Sequence, residues 1–323
     1  MVGYIDRVKN TPRNSRIHRR NYEKMWDWAL LMHESNVSQA MLDSSQVMAS
    51  LQSFVGNSSR AMRLEKRVPV FLTEDLTMIF RKWNRGDFDS DPERGLIRRE
   101  TRDQNGILVR SKLQLDPDWQ HRQAHDFFGD GHLVNGQMFP SRLALLRDGA
   151  HGSRYGGISG TVRHGARSIV MGYHDDASQQ YYADIDMHEV IEYQGTALPD
   201  NDGGALTNLK DGNMGTGAFD DSTSPTACTR MLMRSLETGL PVRVFRSCKA
   251  AGCVKNKPAS GFRYDALYRV TRQTPQKQAR QIWSFRMERL PGQGPLRGLR
   301  RPMARNTRQR EGWATPHPPR RTW

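Results

Sequence analysis

The sequence is short of cysteine, of acidic residues and of long apolar stretches, and each shortage narrows what it can be. Three cysteines, Cys228, Cys248 and Cys253, make an odd number with no paired framework. That disfavours a disulfide-built secreted domain and fits a reducing compartment. Cys248 and Cys253 have the spacing of half a metal site, but no second Cys/His pair stands at a matching interval, so no metal is expected. No apolar run approaches the roughly eighteen residues of a membrane-spanning helix. The longest central cluster, Leu143 to Leu146, reads as a strand or core fragment. The first ten residues include Asp6, Arg7 and Lys9 and lack the apolar stretch of a secretory leader. A Walker loop, a Gly-rich dinucleotide turn and a Gly-x-Ser-x-Gly elbow are all missing. No catalytic residue and no cofactor are expected, and isolated histidines such as His151 and His164 are expected to serve structure.

The acid shortage leaves 49 Lys and Arg against 34 Asp and Glu, a net charge of +15 over 323 residues. The excess is concentrated at the ends. Residues 1–20 hold six cations against Asp6, and residues 291–323 hold eight arginines against Glu311. Such ends suit a polyanion, through release of counterions from phosphates. Solvated disordered tails or an import signal would look the same. The first twenty residues are expected to be a basic disordered arm, and residues 292–323 a Pro/Arg/Gly-rich disordered tail.

Residues 21–115 read as helical. Met25, Trp28, Ala29 and Met32 recur with helical spacing, and Val37, Met41, Met48, Leu51 and Val55 continue it. A third helix is expected from Thr73 as N-cap, with Leu76, Ile79, Phe80 and Trp83 inward and Gly86 as its stop. From residue 128 glycine becomes frequent and short alternating runs appear, at Ser168–Met171, Val242–Arg246, Tyr268–Val270 and Trp283–Met287. They predict half-buried strands. One helix interrupts them, capped by Ser224, opened by Pro225 and ended by Gly239, with Leu232 and Leu236 facing in.

Six segments of this β-rich region carry a resemblance. They are Phe128 to Phe139, Arg147 to Gly160, Ala166 to Val170, Gly239 to Arg246, Arg263 to Val270 and Arg286 to Gln293. In this order they resemble the SRA (SET- and RING-associated, or YDG) domain over residues 128–291. The chain is similar to stand-alone proteins of this family found in filamentous fungi. The resemblance implies an α+β fold, an SRA/PUA-like β-barrel with flanking helices, preceded here by the helical N-terminal region. It also implies a nuclear protein that binds double-stranded DNA carrying 5-methylcytosine by flipping the base, with the N-terminal helices open to chromatin partners. Three cysteines cannot supply the roughly eight ligands of a RING finger, and no SET-like region follows Pro291. A modification-dependent nuclease and a scaffold with a degenerate, non-flipping fold are the alternative readings. Residues 1–128 show no Asp…Glu-x-Lys arrangement for catalytic magnesium.

Everting a base costs roughly a few kcal/mol, and aromatic faces recover about 1–3 kcal/mol each. A carboxylate that accepts from the exocyclic amine selects cytosine over thymine. The family's pocket pairs a tyrosine and an acid with a second tyrosine, which here matches Tyr193-Gln194-Gly195. Two candidates stand for the first tyrosine. Tyr182 with Asp184, at the closer spacing to Tyr193, is the preferred pair, with residues 174–181 as an insertion; Tyr173 with Asp176, which follows the preceding strand more directly, is the alternative. The family's minor-groove loop matches Arg154-Tyr155-Gly156-Gly157, with Arg154 or Tyr155 at its tip. Arg163, Arg167, Arg243, Arg246 and Lys249 are candidate backbone contacts, although strand alternation keeps Arg243 and Arg246 from serving together. The sequence departs from the family at Ala266, where the YDG motif has glycine, at Gln194, and at Asp186-Met187-His188.

Overall fold

The computed structural model describes residues 1–12, 16–172, 184–196, 225–250, 257–275 and 283–297, and the chain divides into two compact units. The helical unit comprises Met1–Ala124, His132–Ala150 and the stretch from Gly294. Its elements are α1 (Val2–Asn10), α2 (Arg16–His33), α3 (Gln39–Ser45), α4 (Val47–Val55), α5 (Arg60–Glu65), α6 (Val70–Asn84), β1 (Leu96–Arg102), β2 (Leu108–Leu115), β3 (Met138–Phe139) and α7 (Arg142–Arg147). Tyr22, Met25 and Ala29 of α2 meet Leu72, Leu76, Ile79 and Trp83 of α6 in one apolar core.

Several boundaries differ from the sequence reading. The first ten residues are a helix rather than a disordered arm, because Ile5 and Val8 are fully buried. Burying two such side chains stabilises by about 1.5–3 kcal/mol each, while the basic residues remain on the solvent side. The stripe from Val37 to Val55 is split by Gln46, whose left-handed backbone (φ 52°) separates α3 from α4. The split resets the helical phase, so Leu42, Val47, Leu51 and Phe54 face inward and Met41 is exposed. Helix α6 begins after Pro69, with Thr73 inside its first turns, and Gly86 does end it. Asp75 is buried, accepting from Trp26 Nε1 at 3.1 Å and pairing with Arg297 at 2.9 Å. The opening of the supposed tail is therefore packed, with Leu296 buried; residues 298–323 lie outside the described residues. Leu143–Leu146 belongs to a helix capped by Ser141 rather than to a strand. Residues 96–115 are a hairpin, not a helix. Asp103 Oδ1 accepts the N–H groups of Asn105 and Ile107, and Gly106 supplies the positive φ (78°) that the turn needs.

The sheet unit comprises His125–Gly131 and His151–Gln293. It contains β4 (Ile158–Thr161), β5 (Gly165–Met171), β6 (Ile185–Asp186), β7 (Val190–Gln194), α8 (Ala227–Thr238), β8 (Val242–Ser247), β9 (Phe262–Pro275) and β10 (Trp283–Arg289). The strand order is β4-β5-β8-β9-β10-β7-β6, with β5 and β8 parallel and the other neighbours antiparallel. The fold is α+β as expected; among the described residues the sheet is an open path, not a hydrogen-bonded ring. Helix α8 starts one residue after its cap Thr226, whose side chain accepts the Thr229 N–H, and ends at Gly239. Ser224 lies outside the described residues. Leu232 is fully buried in the core with Ile169, Met171, Val244, Val270, Phe285 and Met287. All four expected strands are present, but β8 is buried along its whole length instead of on one face.

Ala266 explains the missing glycine of the YDG block. It holds φ at 72° in the left-handed region. The β8–β9 register skips here, so that Asp265 and Ala266 together face Val244. This is a bulge whose extra residue ordinarily is glycine, because a Cβ is costly there. Ala266→Gly is expected to stabilise the sheet unit by about 0.5–1 kcal/mol, the relief of left-handed strain less the added chain entropy. A urea midpoint raised at unchanged slope checks this; a lowered midpoint would refute the strain.

Candidate nucleic-acid interface

The bulge has a second effect. In a regular strand Asp265 and Tyr268 would point to opposite faces, yet both reach Arg246. The Arg246 guanidinium donates to Asp265 at 2.9 Å, to the Tyr268 hydroxyl at 3.3 Å, to both oxygens of Asp186 at 2.8 Å and to the His188 carbonyl at 2.8 Å. Arg263 completes the cluster on Asp265 at 2.6 Å. The side chains of Arg246, Asp186 and Asp265 are 0% exposed. Burial lowers the Arg246 pKa, but its hydrogen bonds to Asp186 and its attraction to Asp265 raise it overall. A phosphate contact through Arg246, expected from the sequence, is therefore corrected: this is an internal joint. It holds the turn Asp186-Met187-His188, in which Asp186 Oδ1 also accepts the His188 N–H, and that turn leads into β7.

Arg243 is likewise internal. Its guanidinium donates to the carbonyls of Phe127, Gly129 and His125 and lies 3.9 Å from the Phe127 ring centre. Burial pushes its pKa down to about 10. Neither Arg243 nor Arg246 lies at the surface, because both faces of β8 are covered. Asp130 accepts from Tyr264, so three of the motif blocks are joined by partly buried polar contacts. Arg167 pairs with Asp126 and stacks near Phe128 at 5.4 Å. Arg163 is exposed in the turn between β4 and β5, and Lys249 is exposed after β8.

Tyr193 sits on β7 opposite Phe285 of β10 and is 5% exposed. Its hydroxyl donates to the Val170 carbonyl at 3.4 Å, near the end of β5. A Cβ at Gly157 would stand 2.6 Å from that hydroxyl, so only glycine lets the loop pass so close. Asp184 occupies the next ladder position opposite Tyr193 beyond β6, and its Oδ1 accepts the Gln194 N–H at 2.9 Å. Burial raises the Asp184 pKa to about 7, against a smaller lowering by that hydrogen bond. Gly195 continues the ladder, its N–H donating to the Trp283 carbonyl at 2.7 Å. Gln194 is buried, its side-chain carbonyl without a partner among the described residues, whereas Met187 is exposed. Tyr173, Asp176 and Tyr182 lie outside the described residues.

The loop before β4 is built on His151, which is fully buried. Its ring nitrogens meet Ser168 Oγ at 2.8 Å and the Gly156 carbonyl at 2.9 Å. Ser153 Oγ accepts the Gly156 N–H at 2.8 Å. Tyr155 is 53% exposed, with the Arg154 guanidinium 5.2 Å from its ring centre. The geometry of His151 is structural, in keeping with the sequence reading. The buried charge cluster around Arg246 is not foreseen by that reading, because its only sequence trace is two acids and two arginines in otherwise apolar strands. Cys228 and Cys248 form no disulfide among the described residues, and Cys253 lies outside them. No helix among the described residues is long and apolar enough to cross a membrane.

Comparison with known proteins places these features in a family. The chain is 30% identical over 173 residues to a UHRF1-like protein of Cryptococcus neoformans, covering 51% of this chain and 47% of the relative. It is 29% identical over 164 residues to the E3 ubiquitin-protein ligase UHRF1 of Bos taurus, covering 48% of this chain and 20% of that protein. The chain thus spans half or less of the length of these curated relatives. Among solved structures, the SUVH5 SRA domain bound to fully hydroxymethylated CG DNA is similar at 22% identity with a TM-score of 0.37, covering 53% of this chain and 99% of that one. The SAD/SRA domain model matches residues 128–293, just over half of the chain, and on that match the chain belongs to the SAD/SRA domain family.

Proposed function

We propose that this chain binds double-stranded DNA carrying 5-methylcytosine by turning the modified base out of the duplex, against Tyr193. Family membership supports the ligand class, and one observation supports the place. Tyr193 is where the exposed Tyr155 loop, the end of β5 and the start of β6 converge, through Gly157, Val170 and the Asp184–Gln194 contact. Met171 at the end of β5 and Asp184 just before β6 flank residues 173–183 in the sequence, which hold both candidate first tyrosines. Asp184 already satisfies the backbone of β7. That favours Asp176, with Tyr173, as the acid and ring that meet the base, over Tyr182 with Asp184. Tyr155 or Arg154 fills the gap in the duplex, and Arg163 contacts its backbone. The setting this reading implies is the nucleus, with the N-terminal helices as the surface for chromatin partners.

Titration of matched duplexes with and without 5-methylcytosine, at one stated salt concentration, tests the reading. A preference of about fourfold is expected, the equivalent of burying one methyl group at about 0.8 kcal/mol. Equal affinities would remove it. Tyr173→Ala and Asp176→Ala should abolish the preference while Tyr182→Ala retains it; the reverse pattern assigns the other register.

A further inference from the structure

The hairpin of β1 and β2 lies outside residues 128–293, and its register sorts its charges by face. Ile97, Arg99 and Thr101 stand opposite Gln114, Lys112 and Arg110, and these six side chains share one face. Arg98 and Glu100, opposite Leu113 and Ser111, share the other. The strand's acid, Glu100, is thereby turned away from the three cations and pairs with Arg102 at 2.8 Å. The side chains of Arg99, Arg110 and Lys112 make no ion pair or hydrogen bond among the described residues, and Arg99 and Arg110 are exposed. Arg99 and Lys112 are directly opposite one another, an arrangement that costs ribbon stability. A solvated surface would intersperse the two signs; here one sign is collected on one face despite that cost. The turn at the far end, Asp103 to Gly106, is polar, and beside it Ile107, Leu108 and Val109 are 63%, 46% and 66% exposed.

We propose that this ribbon is a second DNA-binding element, in which Arg99, Arg110 and Lys112 neutralise phosphates of duplex DNA whether or not it is methylated. A two-stranded ribbon fits the major groove, roughly 12 Å wide. The occupant is a polyanion by charge complementarity, and it is duplex DNA on the reading given above; the ribbon's role does not depend on base eversion.

The test uses the full chain with Arg99→Ser, Arg110→Ser and Lys112→Ser combined, titrated with methylated and unmethylated duplexes between about 50 and 200 mM salt. The slope of log affinity against log salt is expected to fall by about 2–3, near 0.9 for each phosphate no longer neutralised. Both duplexes should weaken by the same factor, leaving the methylation ratio unchanged. The melting temperature should not drop, because a like-charge pair has been relieved. A triple variant with wild-type slope and affinity overturns the proposal, as does one that loses only single-stranded RNA binding. Absence of a methylation preference in the parent, with the slope still falling in the variant, would count against base eversion alone and support the ribbon.

Discussion

Arg246→Ala should destabilise the sheet unit by about 3–5 kcal/mol, the usual consequence of stripping one partner from a buried ion pair. Set against a domain stability of about 5–15 kcal/mol, that loss leaves much of the protein unfolded at moderate temperature. The size follows from what remains. Asp186 and Asp265 are both sealed from water, and Asp186 would lose both of its 2.8 Å charge-assisted bonds at once. Asp265 would keep Arg263, so Asp186 is the group left without a charge partner, with only the His188 N–H to offset its burial. Arg246→Lys should fall between the two, since an ammonium cannot reproduce the bidentate fork on Asp186 while still reaching Asp265 and the His188 carbonyl. Chemical denaturation monitored through the tryptophans measures all three proteins. An alanine variant within 1 kcal/mol of the parent, a bound set by the usual range for surface pairs, would show that water reaches the cluster.

The second large effect depends on pH. Asp184 is pushed up to about 7 by burial, whereas in an unfolded chain an aspartate titrates near 3.9. The folded state therefore binds the proton more tightly. Between those two values the native protein carries more protons than the unfolded one, so this group's contribution to stability falls as pH rises. It is least unfavourable below about pH 4 and fully unfavourable above about pH 7. Asp184→Asn keeps an oxygen to accept the Gln194 N–H at the same place and removes the charge. The variant should be more stable than the parent by the order of a few kcal/mol at pH 8, and nearly equal to it at pH 4. That size follows from about 1.4 kcal/mol for every tenfold difference in proton affinity between the folded and unfolded chain. Unfolding curves of both proteins at the two pH values decide the matter; parallel pH profiles would mean that the carboxyl is solvated.

These two residues also show why recognising the family and locating the site draw on different signals. The blocks that carry the resemblance are largely structural joints. Asp130 meets Tyr264, Arg243 is wrapped by residues 125–129, and His151 braces the Tyr155 loop. Buried polar pairs tolerate little variation, since losing either partner leaves the other unsatisfied, and so they leave readable motifs. For the same reason arginines in those motifs are poor guides to a DNA surface, as Arg243 and Arg246 demonstrate. The exposed cations of the β1–β2 ribbon belong to no motif, and the Asn105-Gly106 turn between its strands is a faint signal inside a region that otherwise reads as helical.

Composition, helical spacing and the ordered motif blocks determined the family, the α+β class, the helices around Met25 and Trp83, and the four long strands, because each rests on local periodicity or on residues adjacent in the chain. Tertiary structure alone decided which charges are inside. Whether Arg246 faces phosphate or Asp186, and whether Asp184 is an open acid or a clasp on β7, depends on partners far away in sequence. Even the face of β9 that Asp265 occupies was set by one extra residue at Ala266, a bulge that exists only because two strands pair around it.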